Sequence, residues 1–224
     1  MRVAIIQPSY FPWRGYFSII NSVDIFIFLD DVQYTDRDWR NRNKFEIDGK
    51  ISWLTVPVDS IKSRPILNEV KFNKKTNWQL KHLETFRHNY SKTPFFQESK
   101  ELFDLILDDY DGSLASMNCA TTIEVSKYLG VKAEYFTSTN LKTNKLSPSE
   151  KLATLVSKVG GTSYISGPTA QNYLQKEAFT TLGIEVIYKN HDYPSYPRGE
   201  RQIDGALSIL DLISFHGKDS IKFI

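Results

Sequence analysis

The chain is expected to be α/β: a mainly parallel, Rossmann-like sheet flanked by helices, with a β-hairpin and a helical insertion in its middle. Three observations carry that expectation. Short, continuous apolar runs at Arg2–Ile6 and Ile25–Leu29 read as strands buried on both faces. Between them Tyr16, Phe17, Ile19, Ile20 and Val23 recur at helical spacing, which makes strand, helix and strand a compact βαβ unit. The same alternation of strand and helix returns after Gly130, with nothing resembling a linker on the way.

The elements follow in order. The runs NKFEI and ISWLTVPV are separated by Asp48-Gly49, a strong hairpin signal. Asn68–Phe72 is read as a short edge strand. Thr76–Tyr90, Phe95–Tyr110 and Ser113–Leu129 read as three helices. Leu102, Phe103, Ile106 and Leu107 mark the apolar face of the second, and Gly130 is placed to cap the third. Ala133–Thr137 is a strand, and Ser147-Pro148 signals a helix over Ser149–Val159. Ser163–Ile165 is a strand, Gly167-Pro168 opens a helix to about Lys176, Glu185–Tyr188 is a strand, and Leu207–Ser214 is the closing helix. With no repeat, low-complexity tract or shift in composition, all 224 residues are expected to form one α/β domain.

Composition narrows the function classes. A hydrophobic content of 41% supports a globular core, and a net charge of +2, with both signs spread along the chain, leaves no footprint for nucleic acid or a polybasic membrane anchor. The lone Cys119 excludes an intramolecular disulfide framework and suits a reducing cytosol, so the expected location is cytoplasmic. The apolar run at Val3–Ile6 is too short for a signal peptide, and no segment approaches the ~20 residues of a membrane span.

Four segments carry candidate chemistry, and each follows an expected strand. Parallel topology gathers such loops at the carboxyl edge of the sheet, where ligands bind. In the first, Gln7, Tyr10, Trp13, Arg14 and Tyr16 sit among Pro8 and Pro12, which stiffen the loop, and Gly15, which lets backbone approach a ligand at a helix N-terminus. The second holds Asp30, Asp31, Gln33, Asp38, Trp39, Asn41 and Arg42. Its two carboxylates suit a base, a cation or a salt bridge to Arg42. The third, YISGPTAQNYL, places Tyr164, Ser166, Gly167, Asn172 and Tyr173 around a helix start, suited either to plain capping or to a phosphate. The fourth, KNHDYPSYPRGE, holds His191, Asp192, Tyr193, Tyr196 and Arg198.

Other residues read as structural. His82 and His88 lie in a helical stretch among charged neighbours and read as surface or structural, His216 marks the end of the last helix, and Cys119 belongs to a core face. There is no Gly-rich phosphate loop, nucleophile elbow, zinc spacing or Cys–His pairing, so the residues specify neither a metal nor any other cofactor.

The segments IIQPSYFPWRGYFSII, IFLDDVQYTDRDWRNRNKF, SWLTVPV, YISGPTAQNYL, DYPSYP and LSILDLISFHG resemble the WbqC-like family of bacterial proteins, many encoded among genes for O-antigen and other surface polysaccharides. The likeness spans essentially the whole chain. A second resemblance is one of layout, to the nucleotidylyltransferase and pantothenate-synthetase-like superfamily. That superfamily carries His/Thr-x-Gly-His after its first strand, where this chain has Trp13-Arg14-Gly15-Tyr16. Without the imidazoles the layout does not extend to adenylyl transfer.

The WbqC-like resemblance implies a cytosolic transferase or amide-forming ligase of surface-polysaccharide biosynthesis. Its substrate would be a nucleotide-activated sugar whose amino group receives an acyl or aminoacyl group from a donor. On that reading Gln7, Tyr10 and Trp13 shape the pocket, Arg14, Arg42 and the helix starts near Gly15 and Gly167 hold phosphates, and His191 or Asp30 is the general base that frees the sugar amine. The alternative is a non-catalytic partner protein that binds a sugar nucleotide or glycan.

Overall fold

A computed structural model of the chain describes residues 1–59, 65–143, 145–190, 193–199, 201–203 and 207–224. The opening unit is β1 (Arg2–Ile6), α1 (Arg14–Asn21) and β2 (Ile25–Phe28). The insertion follows: the hairpin β3 (Arg42–Ile47) and β4 (Lys50–Thr55), then α2 (Trp78–Tyr90), α3 (Phe96–Asp104) and α4 (Leu114–Tyr128). The chain returns through β5 (Glu134–Thr137), α5 (Ser138–Leu141), α6 (Pro148–Lys158), β6 (Ser163–Ser166), α7 (Glu177–Thr180) and β7 (Glu185–Tyr188). A small hairpin of β8 (Tyr196–Arg198) and β9 (Arg201–Ile203) precedes α8 (Ile209–His216).

The central sheet has the order β5-β2-β1-β6-β7, and every pairing in it is parallel. Its strands alternate their side chains between two cores, as a period of two requires. Val3, Ile5, Ile25 and Ile27 pack with Ala153, Leu155 and Val156 of α6 and Phe179 of α7. Ala4, Phe26 and Phe28 face the other way, onto α1, α4 and the insertion. Burial on both faces is why these strands read as unbroken apolar runs. From β1 the chain steps to β2 on one side and later to β6 on the other, so the strand order reverses between β1 and β6. That reversal opens a crevice at the carboxyl edge of the sheet.

Several expectations need correction. Asn68–Phe72 is not an edge strand: a 3-10 turn occupies Leu67–Glu69, closed by the Ile66 N–H on the Glu69 carboxylate at 3.3 Å, and only single bridges join Val58 to Phe72 and Lys71 to Ser113. The second helix of the insertion stops at Asp104 and runs on as a 3-10 turn. The segment after Gly167 is a 3-10 turn over Pro168–Asn172, not a helix to Lys176. It ends where Tyr173 leaves helical geometry and Leu174 enters the core. The β8–β9 hairpin was not expected, because Pro197 within it reads as loop.

Candidate functional site

The loop from β1 to α1 is rigidly held. Phe11 has a positive φ of 37°, a backbone conformation that side-chain-bearing residues rarely adopt. Its ring is buried against Phe103, with centroids 5.0 Å apart. Asn43 of β3 fixes the conformation by donating Nδ2–H to the carbonyls of Phe11 at 2.6 Å and Tyr10 at 3.1 Å. The Tyr10 N–H donates to the Trp39 carbonyl at 2.9 Å, tying this loop to the one that follows β2. Beyond it, Trp13 lies flat on Gly15: a Cβ at Gly15 would come within 2.3 Å of the indole, so only glycine admits the ring there.

A cleft of about 350 Å³ opens over this loop, at the carboxyl ends of β1 and β6. Ligand pockets are typically about 300–1,000 Å³. Ile5, Ile6, Leu29 and Leu152 supply apolar floor, Gln7, Trp13 and Tyr16 come from the first loop, and Tyr164, Ser166, Gly167 and Tyr173 from the segment at β6. A second hollow of about 190 Å³ shares Ile6, Gln7, Trp13, Tyr16 and Arg40 with the cleft and extends it toward Ser9, Trp39 and Asn43. The cleft therefore sits where the strand order reverses.

Tyr16 donates its hydroxyl to the Gln7 carbonyl at 3.1 Å. Burial raises its pKa well above that of a free phenol, with the Arg40 charge pulling the other way. Burial likewise pushes Tyr164 up to about 12, and its ring stacks on Phe179 at 5.0 Å. Both phenols stay protonated at neutral pH. Arg40 is the one charged residue among the described lining of the cleft. Its Nη1 meets Asp38 Oδ2 at 2.8 Å, while its Nε is buried without a hydrogen-bond partner among the described residues. Arg40 was not singled out from the sequence. Its only signal was its place in a turn between Trp39 and Asn41, where Arg42 stood out equally.

The structure thus brings Gln7, Trp13, Tyr16, Trp39, Ser166 and Gly167 to one cleft, and with them Tyr164 and Tyr173. The other expected site residues lie elsewhere. Tyr10 is fully buried, its hydroxyl 2.9 Å from Nδ1 of His82, so it belongs to the core. His82 is also buried, which lowers its pKa to about 4 against the pull of the Thr55 carbonyl; it is structural and not at the surface. Arg14 is buried beneath the chain, donating Nη1–H to the Pro194 carbonyl and to that of Phe223 at 3.3 Å, with Tyr193 and Tyr196 stacked on its guanidinium. It fastens the C-terminal segments and does not reach the cleft.

Asp30 and Asp31 also do not reach the cleft. Asp30 Oδ1 accepts from the Thr139 N–H and Oγ1, each at 2.9 Å, and lies 3.0 Å from Ser138 Oγ, so it caps α5. Asp31 pairs with Lys151 of α6 at 2.7 Å. With these partners at the end of β2, Asp30 is no base for a ligand in the cleft. Gln33 is exposed, bridged to Ile66. Asn41 is buried, donating to the Val56 carbonyl at 3.1 Å. Arg42 lies over Trp53 at 4.2 Å and is not paired with Asp30 or Asp31. Gly167 starts only a 3-10 turn and offers no helix terminus to a phosphate.

Tyr196 and Arg198 converge on Asp211, which is fully buried in the first turn of α8. Tyr196 donates to its Oδ2 at 2.8 Å, Tyr90 to Oδ1 at 2.8 Å, and Arg198 Nη2 to Oδ1 at 2.7 Å, while Arg198 Nη1 pairs with Glu46. Burial pushes the Asp211 carboxyl above the usual carboxylate range, and Arg198, Tyr196 and Tyr90 pull it back. This network joins α8, α2, β3 and β8 and is structural. His191 and Asp192 lie outside the described residues. No group of three or more potential metal ligands occurs among the described residues, and no described helix is long and apolar enough to cross a membrane.

The WbqC-like protein family model matches residues 7–223. The chain belongs to that family. It is 34% identical to the uncharacterized protein Rv1507c of Mycobacterium tuberculosis (strain ATCC 25618 / H37Rv), over all of this chain and 97% of that protein. No solved structure matches it. The match begins at Gln7, so it takes in the first loop, both walls of the cleft and the Asp211 network.

Proposed function

We propose that this WbqC-like protein binds a nucleotide-activated sugar in the cleft between β1 and β6 and acts in surface-polysaccharide biosynthesis. The observation that carries the reading is the composition of the cleft at the strand reversal: aromatic walls from Trp13 and Tyr173, neutral hydrogen-bonding groups from Gln7, Ser166 and Thr169, and a single cation, Arg40. Aromatic faces suit a sugar or base, neutral polar groups suit hydroxyls, and a cation suits a phosphate. The start of α1, where Gly15 lines the cleft, adds backbone N–H groups of the polarity an anion needs.

Acyl or aminoacyl transfer to a sugar amine is the reaction proposed for such a ligand. It needs a base to take the proton of the ammonium. Tyr16 and Tyr164 are held protonated by burial, and Asp30 is committed to α5, so among the sequence candidates that role falls to His191. The second reading, a non-catalytic binding protein, is favoured by the same neutral lining, which recognises a ligand without activating it.

Native mass spectrometry of the purified protein, followed by a thermal-shift panel of sugar nucleotides, ATP and acyl-CoA, tests the proposal. A sugar nucleotide at a hundred times its Kd should stabilise the fold by about 2.7 kcal/mol. Stabilisation by ATP or acyl-CoA alone, with no response to any sugar nucleotide, would refute it. Turnover of an amino-sugar nucleotide with an acyl donor separates the enzyme from the binding protein.

A further inference from the structure

The outer face of the β3–β4 hairpin carries a group of side chains that neither the core nor the cleft accounts for. The register pairs Lys44 with Trp53 and Arg42 with Thr55, so Arg42, Lys44 and Trp53 share one face, with Arg42 diagonal to the indole. Trp39, in the turn before β3, brings its ring to 4.9 Å from Trp53. The Arg42 guanidinium lies 4.2 Å over Trp53, and Lys44 Nζ lies 5.2 Å from Trp53 and 5.8 Å from Trp39.

Two features of this group point to a ligand. Trp53 remains 39% exposed, an indole held out in water by its own hairpin. Arg42 and Lys44 form no salt bridge among the described residues. The acidic residue on the same face, Glu46, is engaged by Arg198. Trp39 also lines the hollow that extends the cleft past Arg40, so the shelf is continuous with the cleft.

We propose that Trp39 and Trp53 form a stacking shelf for the base of a nucleoside diphosphate, with Arg42 and Lys44 beside the phosphate next to the nucleoside and Arg40 beside the one that bears the sugar, placing the nucleoside half of the ligand outside the cleft and the sugar half within it. The proposal rests on the reading of the cleft as a nucleotide-sugar site and assigns the two halves of that ligand. A neutral sugar ring also stacks on indole, but it would leave both cations without an anion. Stacking on an aromatic face tolerates any base, so the shelf fixes the class of ligand and not the identity of the base.

The test is isothermal titration of UDP and ADP, with indole fluorescence recorded alongside, into wild type, Trp53→Ala, Trp53→Phe, Arg42→Gln and the cleft variant Arg40→Gln. Melting temperatures confirm that each variant is folded, and Arg42→Gln serves should Trp53→Ala not fold. Wild type should bind, with quenching of the indoles. Affinity should fall roughly tenfold or more in Trp53→Ala, with most of it restored in Trp53→Phe. Arg42→Gln should lose a similar factor. Wild-type binding that weakens only in Arg40→Gln, with the shelf variants within twofold of wild type, overturns the shelf and leaves the cleft reading intact. Failure of wild type to bind any nucleotide or nucleotide sugar overturns both.

Discussion

The Tyr10 hydroxyl and Nδ1 of His82 share a hydrogen bond of 2.9 Å, joining α2 to the loop that leaves β1. The ring is buried, and its pKa is lowered from 6.5 to about 4. Between those values the unfolded chain binds a proton that the folded chain refuses. Stability from this site is therefore complete above about pH 6.5 and is lost as the pH falls toward 4, by about 3 kcal/mol over the window. Urea unfolding of wild type and His82→Gln at intervals from pH 7 to 4 should show the steeper decline in wild type. Parallel curves would mean that His82 does not titrate in this window.

Asn43 sets the shape of the loop that carries Trp13. Asn43→Leu removes the donor to the Tyr10 and Phe11 carbonyls and leaves both unsatisfied. At about 1–3 kcal/mol for each unsatisfied group, the expected loss is roughly 2–6 kcal/mol. Chemical denaturation checks it, and a loss under about 0.5 kcal/mol would show that Phe11 keeps its positive φ without the clamp.

Asp211→Ala should be among the most damaging substitutions. It leaves Arg198 buried with Glu46 alone opposite among the described residues and removes the acceptor for Tyr90 and Tyr196. Breaking a buried ion pair from one side costs about 3–5 kcal/mol. Tyr196→Phe should cost about 1 kcal/mol and leave ligand affinity unchanged. Lost affinity in a fully folded Tyr196→Phe would return Tyr196 to the binding site.

The parallel sheet was legible because Val3–Ile6 and Ile25–Phe28 are buried on both faces and so read as continuous apolar runs. Asp48-Gly49 and Ser147-Pro148 were equally plain, since turn and cap chemistry is local: Asp48 and Gly49 both take positive φ, and Ser147 accepts from the Glu150 N–H. The site was legible only as a neighbourhood. Gln7, Trp13, Tyr16, Ser166 and Gly167 could be assigned to one edge by topology, but which of their neighbours point into the cleft depends on distant partners. Tyr10 turns inward to His82, Arg14 to Pro194 and Phe223, and Arg198 to Asp211 and Glu46, and no local pattern announces such pairs. Arg40 was hidden for the converse reason: nothing local separates it from Arg42.

Gly15→Ala separates fold from site. The added methyl would stand 2.3 Å from the Trp13 ring, which must move to make room. Alanine suits a helix better than glycine by about 1 kcal/mol, which offsets part of the clash. Stability should therefore change by no more than about 1 kcal/mol, while the near-ultraviolet circular dichroism of Trp13 changes and affinity for the cleft ligand falls. An unchanged dichroism spectrum would show that the ring has room that the structure denies it.

Arg40 tests the account most directly. It is the one charged residue among the described lining, and as the partner of partly exposed Asp38 it should contribute no more than about 1 kcal/mol to stability. The measurement is isothermal titration of a nucleotide sugar identified by the thermal-shift panel into wild type and Arg40→Gln. The expected result is wild-type binding that weakens about tenfold or more in the variant, consistent with loss of a charge-assisted hydrogen bond of about 1.5–3 kcal/mol, with a nearly unchanged melting temperature. Equal affinity in the two proteins, or no binding of any nucleotide sugar by wild type, would contradict it.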